Sequence, residues 1–385
     1  MKSCGVIVEY NPFHNGHQYH VAQAREKTQA DVVIAVMSGN FLQRGEPAIL
    51  DKWQRAEEAL ANGVDLVVEL PTEWAVQSAD YFAKGAVQLL QALQCENLCF
   101  GTDITDAFDY ADFGKFVVRN QKQINEEFQR LSTTTMNYPQ KMTAVYEKLY
   151  TTIPMDTPNH ILGLSYAKEN ARYPRPMDLH PIARRNAAYH EKEIKGKIAS
   201  ATAIRQAIFA DESVNEVVPI QTNEDVTTAT LQSWEDYWPY LKYRLLTSSL
   251  EELQTIYQMN EGIEIRLKTA AQKSSSFQMF VEQVKTKRYT WTRIQRLACY
   301  VLLNITSKEI EEQQAKLSIH VLGFTQAGQH YLNQIKKASN VPIVTKVGKA
   351  ESKRMAMTIR ADEIYQLANE KIKHQNFGRQ PVRLS

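Results

Sequence analysis

Two histidines three residues apart with a glycine between them, His14-Asn15-Gly16-His17, are the residues of this chain best suited to chemistry. They follow the apolar run Val6-Ile7-Val8 and precede a segment with helical spacing, so they belong at a strand-to-helix turn. A helix starting there points unpaired N–H groups and the positive end of its dipole at the turn, where phosphate binds. Pro12 stiffens the approach, and Gly16 lets an anion come close. Two imidazoles at this place can donate hydrogen bonds to phosphoryl oxygens as charge builds during displacement at an α-phosphorus. His14 and His17 are therefore the candidate catalytic residues. Zinc would need a third ligand that has no evident source nearby, so no metal ligand is assigned. The plain alternative is a pair of polar loop histidines.

The elements that must position this turn can be read in the same way. Strand-like runs at residues 5–9, 32–37, 64–70 and 97–103 alternate with helical segments at 16–29, 53–62 and 79–93. That alternation is the sequence form of a parallel sheet in an α/β fold. The run Asn97-Leu98-Cys99-Phe100-Gly101-Thr102-Asp103 ends in glycine and polar residues, as ligand-facing strand ends do in open α/β sheets. Residues 107–150 read as helical and are expected to cover the sheet edge.

Further candidates lie on the same expected edge. Ser38, Gly39, Asn40 and Arg44 follow the second strand, and Arg44 could receive a substrate carboxylate or an RNA phosphate, or simply pair with Glu46. Asn159 lies on a loop entering a helix. The adjacent pair Arg184-Arg185 suits a phosphate clamp. Within Ile198-Ala199-Ser200-Ala201-Thr202-Ala203-Ile204-Arg205, Ser200 and Thr202 can cap a helix while Arg205 faces a leaving pyrophosphate.

With 385 residues and 43% hydrophobic content, the chain can bury a large core and is expected to form more than one domain. Residues 1–230 hold 22 Lys+Arg against 29 Asp+Glu, and residues 231–385 hold 23 against 14, giving net charges of −7 and +9. A basic second half beside an acidic nucleotide-binding half points to a polyanion, with nucleic acid the leading candidate and a solvated basic surface the alternative. Its richest segment packs Lys285, Lys287, Arg288, Arg293 and Arg296 with Tyr289 and Trp291 into twelve residues. Cations there can hold phosphates while an aromatic stacks an unpaired base. The expected division is 1–220 as a nucleotide-binding domain and 221–385 as a basic, mostly helical domain that includes a short strand near 318–324. Four cysteines without metal spacing suggest buried, reduced thiols. Without a signal-peptide pattern or a membrane-length apolar run, the chain is expected to be cytoplasmic, with no membrane partner.

The histidine turn and the later Ala199-Ser200-Ala201-Thr202-Ala203-Ile204-Arg205 segment together resemble the H-x-G-H nucleotidyltransferase superfamily, in which such segments flank ATP. The likeness implies a Rossmann-like nucleotidyltransferase domain. Ahead of the turn stands Glu9-Tyr10-Asn11-Pro12-Phe13 rather than the G-x-F-D-P of nicotinate-mononucleotide and pantetheine-phosphate adenylyltransferases. This lead-in, with Val36-Met37-Ser38-Gly39-Asn40-Phe41-Leu42-Gln43-Arg44-Gly45-Glu46-Pro47-Ala48 and Val68-Glu69-Leu70-Pro71, resembles the tRNA(Met) cytidine acetate ligase family over nearly the whole chain. The resemblance implies that acetate and ATP give acetyl-adenylate, whose acetyl group passes to N4 of the wobble cytidine of elongator tRNA(Met). It also implies ATP contacts along Ile7, Val8 and Glu9 through His17 and His20, together with Gly101, Asn159, Arg184 and Arg185, and makes 1–220 an ATP-binding and 221–385 a tRNA-binding domain. Mg2+ is expected to travel with ATP. The proton acceptor for the cytidine amine and the oligomeric state are left open. The competing functions are a small-molecule adenylyltransferase and a non-catalytic RNA-binding protein.

Overall fold

The computed structural model describes residues 1–104, 108–132, 134, 136, 138–150, 157–184 and 196–384. Its centre is a mixed, mostly parallel sheet that spans both halves of the chain. The strands are β1 (Ser3–Val8), β2 (Val32–Ser38), β3 (Leu66–Leu70), β4 (Asn97–Thr102), β5 (Asp178–Ala183), β6 (Ile319–Thr325), β7 (Ile343–Val344) and β8 (Val382–Leu384). Their order is β5-β4-β1-β2-β3-β6-β7, with β8 also paired to β6. The first five strands run parallel, and β6 joins β3 antiparallel, its register shifting between Val67 and Val68.

Strand alternation builds a layer on each face. Val32, Ile34 and Val36 of β2 pack with Leu98 and Phe100 beneath the Ala79–Ala92 helix, while Val33, Ala35 and Met37 pack with Val6 and Cys99 beneath the Asn15–Thr28 and Lys52–Ala61 helices. β2 is thus covered on both sides, which is why it reads as one continuous apolar run. The sequence-read strands and helices of the first hundred residues match these elements to within about two residues at their ends. Residues 107–150 contain the helices Tyr110–Arg119, Gln121–Arg130 and Tyr138–Leu149. The first of these packs mainly on the Pro158–Asn170 helix of the outer layer, with a smaller contact to edge strand β5.

The second half divides in two. The helices Trp234–Thr247, Ile263–Lys273, Phe277–Val284, Trp291–Leu302 and Ala356–Leu367 enclose their own apolar core, into which Phe41 and Val76 of the first half insert. Strands β6 to β8 leave that body and extend the sheet. The expected strand near 318–324 is therefore β6, and it carries sheet hydrogen bonds with β3. The four cysteines are free and buried. No described helix is long and apolar enough to cross a membrane.

Candidate active site

β1 is flanked by β2 on one side and β4 on the other, so the direction of winding reverses at β1/β4. In open α/β sheets the crevice outside the carboxyl ends of the strands at such a reversal binds ligands. A cleft of about 310 Å³ opens there. Its walls include Ile7, Val8 and Glu9 from the end of β1, His14, Gly16, His17 and His20 from the following turn and helix, and Gly101 near the end of β4. Asn159 and Arg184 form one side, Ser200, Thr202 and Arg205 another, and Arg44 a third.

The histidines are held by their own helix. His14 is the N-cap of the Asn15–Thr28 helix, and its Nδ1 accepts the N–H of Gly16 at 3.0 Å. The Nδ1 of His17 accepts the N–H of His14 at 3.3 Å, closing a reciprocal cap made of two imidazoles. The rings stack with centroids 3.6 Å apart. Burial, reinforced by Arg184 and Arg205, pulls the pKa of His14 down to about 3. Burial and the neighbouring His14 likewise put His17 well below its usual value, and burial brings His20 to about 4. Each capping imidazole is therefore neutral at pH 7, with Nδ1 accepting and the proton on Nε2. That leaves Nε2–H as the donor available to a ligand.

Cations and a cap complete the cleft. Arg205 donates to the carbonyl of Asn11 at 2.8 Å and lies 3.5 Å from Glu46, so the Ala201–Phe209 helix is tied directly to the histidine turn. Ser200 caps that helix by accepting the N–H of Ala203. Arg184 lies 3.3 Å from Asp103, whose other carboxylate oxygen accepts from the Asn159 side chain at 2.9 Å. Asp103 thus orients two cleft residues at once. In the sequence Asp103 stands out only as a polar residue at a strand end. Phe82, Phe100, Leu162 and Tyr166 supply an apolar wall that the reading of polar motifs did not include.

Several expected site residues are placed away from the cleft wall. Tyr10, Asn11, Pro12 and Phe13 are buried beneath the turn. Tyr10 adopts a left-handed φ of 50° and packs edge-on to His17, while the Asn11 side chain accepts the N–H of Ile49. Asn15 donates to the carbonyls of Lys197 and Glu216, strapping a distant segment to the helix start. Arg185 lies outside the described residues.

Ser38, Gly39 and Asn40 face inward. The carbonyls of Ser38 and Gly39 accept from Arg55, and the Asn40 side chain donates to Asp362 and Gln375. Close by, Lys52 Nζ reaches both oxygens of Glu69 at 2.9 Å and Asp362 at 2.6 Å, and His320 Nδ1 lies 2.6 Å from Glu69. This buried cluster joins the two halves of the chain.

The basic segment is mixed in exposure. Lys285, Lys287 and Arg288 are exposed, with Arg288 2.6 Å from Glu261. Trp291 is 37% exposed, whereas Tyr289 is buried beneath the Arg293 guanidinium, so of the two aromatics only Trp291 offers a face to a base. Arg296 donates to the carbonyl of Gln77, and Gln295 to that of Arg44. Gly45, at φ 85°, lies so close to the backbone of Arg296 that a Cβ would come within 2.7 Å of its Cα. The cleft rim and the basic helix are therefore in direct contact.

The HIGH Nucleotidyl Transferase family model matches residues 1–380. The chain is 44% identical over 379 residues to the tRNA(Met) cytidine acetate ligase of Anoxybacillus flavithermus, covering 95% of this chain and 92% of that one. The chain belongs to the tRNA(Met) cytidine acetate ligase family. A second member, from Latilactobacillus sakei, is 41% identical and covers 99% of this chain and 97% of its own. Among solved structures, apo TmcAL of Thermotoga maritima superposes with a TM-score of 0.92 at 29% identity, covering all of both chains. The same protein bound with alpha-thio ATP gives a TM-score of 0.89 at 29% identity, covering 100% of this chain and 99% of that one.

Proposed function

We propose that the chain is an ATP-dependent ligase that activates acetate as acetyl-adenylate and transfers the acetyl group to N4 of the wobble cytidine of elongator tRNA(Met). The observation that carries this reading is the near-full-length likeness to relatives bearing that name, which extends through the basic second half as well as the nucleotide cleft.

In the first step an acetate oxygen attacks the α-phosphorus of ATP, and the bond to pyrophosphate breaks. The chain needs no nucleophile of its own for this; it must position the phosphates and offset their growing charge. Neutral His14 and His17 donate through Nε2–H, held in that tautomer by their Nδ1 hydrogen bonds. Arg184 and Arg205 meet the pyrophosphate, and the N-terminus of the Asn15–Thr28 helix adds its dipole. Arg185 is proposed to assist Arg184. Gly101 and Asn159 take the nucleoside. Mg2+ would arrive on the ATP phosphates. No protein ligand is proposed for it.

Residues 1–220 are proposed to bind ATP and residues 221–385 to bind tRNA, with β6 to β8 of the latter built into the shared sheet. Lys285, Lys287, Arg288, Arg293 and Arg296 would meet RNA phosphates, and Trp291 an unpaired base. Such an enzyme would work in the cytoplasm, where tRNA resides. Incubation with ATP, isotopically labelled acetate and unmodified tRNA(Met), followed by mass spectrometry of the nucleosides, tests the reading. Label on cytidine supports it; pyrophosphate release without labelled RNA would refute the proposed acceptor.

A further inference from the structure

Transfer of the acetyl group requires a proton acceptor, and the cleft restricts the choice. The exocyclic amine of cytosine has its lone pair delocalised into the ring. It attacks an acyl carbon productively only if a base removes its proton as the bond forms. His14 and His17 are unsuited: each is neutral, with Nε2 protonated and its remaining lone pair, on Nδ1, already accepting a backbone N–H. His20 lines the cleft, but its Nε2 is buried. Glu46 lies against Arg205, and Asp103 is held by Arg184 and Asn159.

Glu9 is placed differently. It stands at the carboxyl end of β1 on the cleft wall, and one carboxylate oxygen accepts the N–H of Gln43 at 2.7 Å. The Gln43 side chain donates to the carbonyl of Gln77 at 2.8 Å, and Arg296 donates to that same carbonyl at 3.1 Å. A short hydrogen-bonded path therefore leads from Glu9 to the basic helix. The carboxylate is thus linked both to the cleft that holds the histidine turn and to the segment proposed to meet RNA.

We infer that Glu9 is the proton acceptor of the transfer step, an inference that rests on the function proposed above. Cytidine N4 attacks the acetyl carbon of acetyl-adenylate, the new N–C bond forms, and the C–O bond to the adenylate breaks with its electrons leaving on AMP. The N4 proton passes to the Glu9 carboxylate and then to water. Burial, with the neighbouring Glu46, raises the pKa of Glu9, which makes it a stronger base than an exposed carboxylate.

The test separates the two half-reactions. Glu9→Gln keeps an acceptor oxygen for the Gln43 N–H but removes the base. Adenylate formation is followed by acetate-dependent pyrophosphate release, and transfer by single-turnover reaction of preformed acetyl-adenylate with tRNA. Transfer should fall about 10²–10⁴-fold, well beyond whatever loss adenylate formation suffers from the altered wall of the ATP cleft. The wild-type transfer rate should rise with pH through the Glu9 titration, the Gln variant should lose that rise, and Glu9→Asp should restore part of the rate together with the pH dependence. Equal loss in both half-reactions, or transfer at the wild-type rate in Glu9→Gln, would overturn the assignment. Absence of acetyl-adenylate in the wild type would instead refute the underlying function.

Discussion

Two buried polar clusters lie against the same sheet and are built on opposite principles. Around Lys52, the ammonium meets both Glu69 oxygens and Asp362, His320 closes on Glu69, and Asn40 links the Lys52 N–H to Asp362. Around His14 and His17, only half of each ring is satisfied: Nδ1 serves the helix, and Nε2 is left for the cleft. The first cluster uses its bonding capacity within the protein, and the second reserves part of it. Buried polar residues therefore point to chemistry only where their hydrogen bonding is unfinished.

The largest expected effect falls on the closed cluster. Lys52→Met leaves Glu69 and Asp362 buried without a counter-charge, which should cost about 3–5 kcal/mol in urea unfolding. The open cluster should respond in the other currency. His17→Ala should slow acetyl-adenylate formation about 10²–10³-fold, with only about 1 kcal/mol lost from the helix cap. If both substitutions chiefly cost stability, the contrast between the clusters fails.

Arg184→Met should raise the KM for ATP about tenfold or more, through loss of charge-assisted bonds to phosphate, measured as pyrophosphate release. Smaller again, Lys285→Ala with Lys287→Ala should weaken tRNA binding a few-fold and lower the salt slope by about one per lost phosphate contact.

The gentlest test uses pH. His14, His17 and His20 have folded pKa values depressed below 6.5, so the stability they provide is complete above about 6.5. It is lost as pH falls toward about 4 and 3. Tm should therefore decline between pH 7 and pH 5, and His20→Gln should flatten part of that decline.

The parts of the molecule written in consecutive residues were legible from sequence. The β1 run, the H-x-G-H turn and the alternation of strands and helices need only local periodicity and capping chemistry. The Lys52 cluster draws on positions 52, 69, 320 and 362, and no local pattern announces such a meeting. Ser38, Gly39 and Asn40 follow a strand end, where ligand contacts are common, but Asn40 finds Asp362 from the far end of the chain and turns inward. The strand near 318–324 was legible, but the same distance hid its place beside β3 in the sheet.

That pairing imposes an order on synthesis. Leu66 is bonded opposite Phe324, so the ribosome delivers β3 long before its antiparallel neighbour exists. Through that interval the nascent chain presents an open, apolar sheet edge. Completion of the nucleotide-binding layer therefore waits on the second half, and the polypeptide reaches its finished sheet only as its last strands emerge.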